Sequence, residues 1–463
     1  MTHIKITKGL DIPIKGSPLG NVHPLIPSGG SSPFVPAQIA LDLKPFDDIK
    51  FKILVKVGDA VKIGQPLLED KSSPGRLFCS PAAGVISDIR RGLKRSLLAI
   101  VIDVANKEEH QELPRLEVES ASREQLIETL KSGGLFAHIR VRPFNRLADP
   151  AKAPRSVFVK AVESAPFVPP AELQIEGRER EFQIGLNALA KLSDGPVHLV
   201  YRHGNDCRAF TDGQGVQRHT VEGPHPVSNA SLHIQAIDPI KSSDDVIWTV
   251  SAQDVVAIGY LLMTGRYYTE RVISIAGPGV IEDRTGFFKG RAGLPISGLI
   301  SGRIERGAPL RLISGDPLMG RKVEVEDFLG FNDFVFCVIP ENTDREFLHF
   351  FRLGKDKYSF SRAYLSGHLD NAQRRYDFTT SQHGEHRAFI DATLYDEVMP
   401  LPISTMLLVK AVMAEDFELA EKLGLIGVDS EDFALPTFVC PSKVEMMDIM
   451  KSGLRQFAHD VLS

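Results

Sequence analysis

The sequence predicts a multidomain protein of mixed α/β and α+β class, with an N-terminal β domain, an α/β domain, a small α+β domain and a helical segment. Three observations support this prediction. The 463 residues are too many for one ordinary core and indicate roughly three domains. Short strand-like runs separated by Gly, Pro, Asp and Ser fill residues 1–104. Strand and helix patterns then alternate, and helical patterns dominate beyond about residue 375.

The N-terminal β domain is predicted from the runs "FKILVKV", "GRLFCS", "GVISDI" and "LLAIVIDV". Within 53–89, two apolar arms alternate around Gly58-Asp59 and Gly64-Gln65, which is the pattern of a biotin or lipoyl carrier. Carriers present a modifiable lysine on a hairpin tip, but Lys71 lies in "LEDKSSPG", without the usual flanking methionines. We therefore expect a structural barrel-sandwich domain with an ordinary surface lysine. A biotin- or lipoyl-type carrier protein is the alternative.

The α/β domain is predicted from helices that alternate with apolar strands. "ASREQLIETLKSGG" is a helix that Ser122 caps, with Gln125 completing a capping box. "RSVFVKAVES" and "PVHLVYRHG" are strands on either side of the helix "REFQIGLNALAKLSDG". "DDVIWTVSAQDVVAIGYLLMTGR" gives a strand and then a helix capped at Ser251. This alternation predicts βαβ units and a largely parallel sheet.

The last two units are predicted from glycine turns and from helical periodicity. From "ERVISIAGPGV" to "PLRLISGDPLMGR", short strands and many glycines indicate a compact α+β domain. Three segments are then expected to be helical: "EHRAFIDATLYDEV", "STMLLVKAVMAEDFELAEKLG" and "KVEMMDIMKSGLRQFAHDVL".

Composition and charge exclude several classes of function. The net charge of −5 gives no broad attraction to nucleic acid or anionic lipid. No signal peptide is expected, and the longest apolar run, 255–263, is far shorter than the roughly 20 residues of a membrane helix. The four cysteines (Cys79, Cys207, Cys337 and Cys440) are scattered, without the spacing of zinc or iron–sulfur sites. We expect reduced thiols in a cytosolic chain that reaches a membrane only through protein partners.

The segment 132–150, "SGGLFAHIRVRPFNRLADP", carries the candidate site. It follows a predicted helix and precedes the βαβ region, where an α/β domain commonly presents a ligand loop. Its arginine and aromatic side chains can hold a planar, carbonyl-bearing group by stacking and hydrogen bonds. The alternative is an interdomain loop braced by arginines. The candidate residues are Phe136, His138, Arg140, Arg142 and Phe144.

Five stretches together give the chain a family resemblance over essentially its whole length. They are "IKITKGLDIPIKG", "KVGDAVKIGQPL", "IRVRPFNRLADP", "PISGLISGRIERGAPLRLISGDPLMGR" and "VCPSK". In this order they resemble the A subunit of the bacterial Na+-translocating NADH:quinone oxidoreductase. That family is similar to the C subunit of the Rnf complex and to the flavin-bearing, NADH-oxidising subunit of respiratory complex I.

The resemblance implies a set of four domains. These are a barrel-sandwich domain at 1–104, a Rossmann-like α/β domain at 105–265, a β-grasp domain of ligand-binding type with its connection at 266–375, and a helical domain at 376–463 that lacks iron–sulfur cysteines. The first agrees with the carrier-like pattern, and the others agree with the order of elements above.

The resemblance also implies a function at the level of a complex. The expected protein is a peripheral subunit, on the cytoplasmic face of the bacterial inner membrane, of a respiratory translocase that oxidises NADH, reduces ubiquinone and exports Na+. Its partners are the other subunits, including integral membrane subunits, and no nucleic acid is expected. FAD, FMN, Fe–S clusters and the NADH site are expected in partner subunits. This subunit has no expected cofactor, metal or catalytic residue of its own.

Two departures from the flavin- and cluster-bearing relatives support that expectation. Those relatives carry a loop of Gly-x-Gly-Gly-Ala-Gly type, in which missing side chains let backbone amides approach a phosphate. Here the corresponding stretch is the bulky "FAHIRVRPFN", and the helical region offers only Cys440 as a thiolate. A flavin or Fe–S electron carrier that resembles the C subunit of Rnf is the alternative.

The candidate residues suggest where a quinone would contact the chain. Aromatic faces suit its ring, and an arginine can stabilise the negative charge that its carbonyl oxygens gain on reduction. We expect a headgroup that touches this subunit to lie near the five candidate residues. Substituting Arg142 by Lys or Phe144 by Leu is then expected to weaken quinone binding with little change in folding stability.

Overall fold

The computed structural model of this chain describes all residues except 27–33, 306, 308, 344–346, 349–350, 370–372 and 463. In the part that it describes, no helix combines the length and the apolarity needed to cross a lipid bilayer.

The N-terminal segment consists mainly of strands, as predicted. Seven of its nine strands form two antiparallel sheets, ordered β3-β9-β8-β5 and β4-β6-β7. Side chains such as Ile39, Leu67, Phe78 and Ile102 fill the space between them and are at most 1% exposed. The strands are β1 (His3–Lys5), β2 (Val22–Pro24), β3 (Gln38–Asp42), β4 (Phe51–Ile53), β5 (Ala60–Val61), β6 (Pro66–Asp70), β7 (Leu77–Cys79), β8 (Gly84–Arg91) and β9 (Leu97–Val104).

The α/β unit contains the largely parallel sheet that the alternating pattern predicted. Its elements are α1 (Arg123–Ser132), β10 (Arg140–Arg142), β11 (Arg146–Leu147), β12 (Ser156–Ala161), α2 (Ala171–Ile175), α3 (Glu179–Leu192), β13 (Val197–Arg202), α4 (Arg208–Thr211), β14 (Gln217–Glu222), α5 (Ala230–Ile237), β15 (Ile247–Ser251) and α6 (Ala252–Thr264). The order is β1-β14-β13-β12-β15-β10-β11; β10 pairs antiparallel with both β15 and β11, and the other pairings are parallel. Chain order reverses between β12 and β15, the place where α/β sheets bind ligands.

The predicted helix caps are present, and a glycine sets the distance between two helices. Ser122 forms the capping box with Gln125, and the Ser251 side chain accepts a hydrogen bond from the backbone N–H of Asp254 in α6. Helices α3 and α6 touch backbone to backbone. A Cβ atom at Gly259 would lie 1.7 Å from the carbonyl oxygen of Glu181, so only glycine fits there.

The third unit is a mixed α+β domain, in agreement with the β-grasp expectation. It comprises β16 (Glu270–Ala276), β17 (Gly286–Arg291), α7 (Ile296–Ile300), β18 (Leu310–Ser314), β19 (Arg321–Val323) and β20 (Val335–Pro340). The sheet order is β19-β18-β20-β16-β17-β2. The side chains of Ile273, Leu299 and Phe336 lie in its core.

The C-terminal unit is helical, although the predicted helices are too long. Residues 385–392 are not helical, and the segment predicted as one helix from 404 to 424 divides where Glu415 adopts a positive φ of 55° and Asp416 caps the next helix. The helix α11 was not predicted. The helices are α8 (Thr393–Val398), α9 (Thr405–Met413), α10 (Phe417–Lys422), α11 (Ala434–Val439) and α12 (Met446–Leu462).

The first 24 residues contain two strands that pair with sheets outside the sandwich. Strand β1 pairs in parallel with β14, and β2 pairs in parallel with β17. The segment assigned to the sandwich therefore adds edge strands to two other sheets, and the sandwich itself begins at β3. Edge pairing of this kind is invisible in a local hydrophobic pattern because the partner lies far along the chain. The predicted domain ranges stay predictions, but the N-terminal arm joins three units.

Candidate functional site

The candidate segment lies where the sandwich, the α/β sheet and the helical unit meet. It leaves α1 through Gly134, whose φ of 70° is left-handed, and continues through a short 3-10 turn at Leu135–Ala137 into β10 and β11. A Cβ atom at Gly134 would lie 2.7 Å from the sulfur of Cys79 in the sandwich. Glycine therefore lets the sandwich pack directly on this turn.

The two predicted aromatic residues lie in different cores. Phe136 is fully buried and contacts Trp248 edge to face, with ring centroids 5.8 Å apart. Phe144 has a φ of 74° and packs against Phe457 of α12, with centroids 5.9 Å apart. The structure does not bring these two rings together on one ligand-sized surface.

The two predicted arginines also have separate partners. Arg140 stacks over the ring of Phe46 in the sandwich, 5.4 Å from its centroid. Arg142 is 1% exposed and donates to the hydroxyl of Ser231 at 2.7 Å, while another of its nitrogens lies 3.8 Å from a carboxylate oxygen of Asp429. These contacts favour the bracing alternative. Because Arg142 is buried, its substitution is expected to change stability, contrary to the expectation from the sequence.

His138 belongs to a hydrogen-bond chain that sequence reasoning did not find. Its Nδ1 lies 3.0 Å from Asp254 and its Nε2 lies 3.3 Å from the hydroxyl of Tyr267, while its ring packs on Phe331 at 4.8 Å. Burial opposes ionisation of Asp254, but the hydrogen bonds from His138 and Ser251 lower its pKa. A carboxylate, an imidazole and a phenol in this order can relay a proton.

The sequence contained only an indirect indication of this hydrogen-bond chain. Asp254 follows the capping residue Ser251 by three positions, so the sequence suggests a role in the helix cap. It has that role, since Ser251 Oγ donates to its carboxylate at 2.6 Å. Nothing in the spacing of His138 and Tyr267 relates them, because they are 129 residues apart. Antiparallel pairing of β10 with β15 brings His138 to the carboxyl end of β15.

An acidic turn of the helical unit faces Arg142. Asp429 and Asp432 form a capping box around residues 430–433, and Asn229 of the α/β unit donates to Asp432 at 2.9 Å. Burial and the neighbouring Asp429 and Asp432 raise the pKa of Glu431 to about 8. At neutral pH Glu431 is therefore mostly protonated, and Arg142 offsets the charge of its neighbours.

The turn at 135–139, where a flavin phosphate would have to bind, does not fit a phosphate group. The side chains of Leu135, Phe136, Ala137 and Ile139 are at most 1% exposed and are packed into the cores. The backbone N–H of Ala137 donates to the Gly134 carbonyl, and that of His138 donates to the Leu135 carbonyl. These amides are already satisfied within the chain and cannot cradle an anion as a glycine loop does.

The cysteines do not fit an iron–sulfur cluster either. The sulfur of Cys440 is buried, 3.1 Å from the Tyr395 hydroxyl, and it accepts from the backbone N–H of Val444. Each of the other three lies in another unit of the fold. Over the described ranges, no group of three or more Cys, His, Asp or Glu side chains has the geometry of a metal site.

Lys71 does not stand on a free hairpin tip. The hairpin between β6 and β7 is docked by the buried pair of Asp70 and Arg76, 2.6 Å apart, and Arg76 donates to the carbonyl of Ala148 beside β11. The flank of Lys131 on α1 covers Gly75 so closely that a Cβ atom would lie 2.3 Å away. A carrier needs a hairpin that can travel, and this one is fixed to the α/β unit.

The two open clefts that stand out lie elsewhere. One of about 730 Å³ lies beside Lys8, Phe360 and Glu397, and one of about 290 Å³ lies beside His23 and Arg303. Neither is lined by any of the five candidate residues.

Comparisons with known proteins place three family models on the chain. Residues 4–105 match the NqrA N-terminal barrel-sandwich hybrid domain, residues 121–267 the NqrA second alpha/beta domain, and residues 272–325 the NQRA C-terminal domain.

Curated relatives align over nearly the whole length. The chain is 37% identical to the A subunit of the Na(+)-translocating NADH-quinone reductase of Chlamydia caviae, over 99% of this chain and 97% of the relative. It is 36% identical to the protein of the same name from Tolumonas auensis, over 97% of this chain and 98% of the relative. A solved structure of an NAD+-reducing NiFe hydrogenase aligns with 50% of this chain and with 52% of its own chain, at 8% identity. Its TM-score of 0.34 is too low to indicate a shared fold.

Proposed function

The chain belongs to the NqrA family, the A subunits of the Na+-translocating NADH-quinone reductases, and from this premise we propose that it is a peripheral subunit without flavin or Fe–S cluster that supports assembly of the complex and its quinone site. The reaction of the complex is the oxidation of NADH by quinone with translocation of Na+. The alternatives, an electron carrier that resembles the C subunit of Rnf and a biotin- or lipoyl-type carrier, are not favoured.

One observation carries this proposal. The turn at 135–139, which would have to hold a flavin phosphate, is built from core side chains, and the amides of Ala137 and His138 are bonded within the chain. The same region instead binds the units of the chain to one another: Arg140 contacts the sandwich and Arg142 contacts the helical unit.

The proposal assigns the redox groups and the membrane attachment to partner subunits. FAD, FMN, the Fe–S clusters and the NADH site lie in partner subunits, and integral membrane subunits hold this chain at the cytoplasmic face of the bacterial inner membrane. A protein with four interlocked units offers a rigid surface for that docking. Its N-terminal arm contributes strands to two sheets and so resists relative movement of the units.

We also keep the quinone contact as a proposal for the complex. The hydrogen-bond chain of Asp254, His138 and Tyr267 supports it, because quinone reduction consumes protons and such a chain can relay them. In this conformation the His138 side chain is only 7% exposed. The Phe331 ring packs on His138, so a quinone carbonyl reaches the imidazole when that side chain moves aside.

Deletion of this chain from the native complex tests the assembly role. Membranes that lack it should lose NADH-driven quinone reduction and Na+ uptake, while oxidation of NADH by a soluble artificial acceptor persists. The full chain, supplied again, should restore both lost activities. Loss of the soluble-acceptor reaction in correctly assembled partner subunits would instead place the NADH or flavin chemistry in this chain.

A photoreactive ubiquinone analogue tests the quinone contact. Label should appear on peptides that contain residues 136–144, and His138→Gln should reduce that labelling and alter the pH profile of quinone reduction. Phe144→Leu was expected from the sequence to weaken binding, but Phe144 packs against Phe457 in another core, so this variant serves as the matched control and should leave the labelling unchanged. Labelling confined to other segments would place the quinone elsewhere.

A further inference from the structure

A small cleft between the N-terminal arm and the β-grasp unit contains a buried arginine that has no acidic partner among the residues the structure describes. The cleft has a volume of about 290 Å³ and is lined in part by His23 and Pro24 of β2 and by Phe288 of the paired strand β17. Arg303 lines it and is only 6% exposed. Arginine is rarely buried to this extent unless a carboxylate pairs with it.

The contacts of Arg303 are with neutral groups. One nitrogen donates to the Ile26 carbonyl at 2.9 Å, another lies 3.4 Å from the Ser301 carbonyl, and the guanidinium carbon stacks 5.1 Å from the centre of the Phe288 ring. Across the described part of the chain, no carboxylate forms an ion pair with it. Burial and the nearby Arg284 lower the pKa of Arg303.

A second cation reinforces the positive charge of the cleft. Arg284 also lines it, and its ion-pair partner Asp283 is a neighbouring residue at 3.7 Å that is itself 74% exposed. Such an exposed pair holds a charge only weakly. Two arginines and Thr285 therefore line the same small space, and the acidic lining residue, Asp283, is the exposed partner of Arg284.

The rim of the cleft is apolar and faces solvent. Of the lining residues, Leu19 is 82% exposed and Ile26 is 36% exposed, and the nearby Ile281 is 38% exposed. Ile281 is tied to the site, since its backbone N–H donates to the Arg303 carbonyl at 2.9 Å. An anionic group at the floor with apolar matter at the rim would complement both surfaces.

We propose that this cleft is a binding site for a phosphate oxyanion, held by Arg303 and Arg284. The planar fork of arginine matches the oxygen geometry of phosphate and gives short, charge-assisted hydrogen bonds. A bound oxyanion supplies the counter-charge that Arg303 lacks in the described structure. The oxyanion belongs either to a soluble phosphate or to the headgroup of an anionic phospholipid, whose chains would cover Leu19 and Ile26.

Two probes on the purified full chain distinguish the sources. Inorganic phosphate is titrated by calorimetry, and vesicles of phosphatidylglycerol are compared with vesicles of phosphatidylcholine by flotation. Arg284→Gln is the main variant, because Arg284 lies at the surface and its loss leaves the fold intact. Arg303→Gln is the second, checked for folding by its circular dichroism. Arg218→Gln, an exposed arginine of β14, is the matched control.

Both supporting outcomes involve the same residues. Phosphate that binds one to one, and about tenfold more weakly to Arg284→Gln than to Arg218→Gln, supports a soluble ligand. Flotation with phosphatidylglycerol vesicles alone, lost in Arg284→Gln, supports a lipid headgroup. The proposal is overturned if neither probe binds, or if Arg284→Gln and folded Arg303→Gln bind as the control does.

Discussion

Replacement of Arg142 by leucine should loosen the joint between the α/β unit and the helical unit. Arg142 is 1% exposed, donates to Ser231 at 2.7 Å and lies 3.8 Å from Asp429. Leucine removes the charge and keeps part of the apolar volume. The carboxylates of Asp429 and Asp432 then remain in the interface without the cation that offsets them.

The size of the effect follows from this loss of a partner. Removal of one member of a buried ion pair costs about 3–5 kcal/mol of folding free energy. Asp429 keeps hydrogen bonds from Asn145 and from the backbone N–H of Ser430, so we expect the lower end, about 3 kcal/mol. With a urea dependence of roughly 2–3 kcal/mol per molar, the midpoint should fall by roughly 1–1.5 M.

The chain contains one tryptophan, and it reports on this region. Trp248 is 2% exposed and pairs with Val141 of β10, next to the mutated residue. Its fluorescence during urea unfolding of the full chain gives the midpoint directly. Arg146→Leu is the matched control, because Arg146 belongs to the same segment but is exposed.

The size of the shift should depend on pH. The destabilisation should shrink as the pH is lowered, because burial raises the pKa of Asp432 and its protonation removes a negative charge that Arg142 offsets. A midpoint within 0.3 M of the Arg146→Leu value, at the level of an ordinary surface change of about 0.5 kcal/mol, would refute the assignment of Arg142 as a clamp.

Three further changes test other parts of the account. The pKa of Glu431 is raised to about 8 in the folded chain, against about 4.5 in the unfolded chain. Its contribution to stability is therefore complete below pH 4.5 and is lost as the pH rises through 8. Glu431→Gln should flatten this decline and raise the free energy of unfolding at pH 8.5 by roughly 1–3 kcal/mol. Gly259→Ala should destabilise the chain by about 2 kcal/mol or more, since its methyl group would meet the carbonyl of Glu181. Lys71→Ala should change stability by no more than about 0.5 kcal/mol, and intact mass should show no added group on Lys71.

Each of these has its own contrary result. An unchanged pH profile in Glu431→Gln, measured by thermal unfolding, would mean that Glu431 is ionised at neutral pH. Gly427→Ala, whose methyl group meets nothing closer than 3.9 Å, is the control for Gly259→Ala, and equal melting temperatures would contradict the close helix contact. A biotin or lipoyl mass increment on the peptide with Lys71 would restore the carrier alternative.

The sequence predicted those parts of the fold that depend on local patterns. The capping box of Ser122 and Gln125, the cap at Ser251 and the parallel strands β12 to β15 follow from residue order alone. The division at Glu415 was missed because apolar periodicity continues across it, while the positive φ is visible only in the structure. The edge pairing of β1 and β2 was missed because it depends on partners hundreds of residues away.

The candidate site was predicted only as a location. The segment around Arg140 and Arg142 does lie at the joint between units, which the bracing alternative anticipated. Its residues diverge because the alternation of side chains along a short strand and the turn at Phe144 send them to separate cores. The partners that matter, Asp254 and Tyr267 for His138 and the acidic turn for Arg142, come from elements whose proximity only the sheet order creates.

The absorption spectrum and iron content of this protein, separated from the active complex, test the central claim most directly. The claim is that the chain supports the reductase without carrying its redox groups. We predict no flavin band in the visible range and no stoichiometric iron in the separated chain, while the remaining subunits keep theirs. About one flavin or one Fe–S cluster per chain would contradict the account.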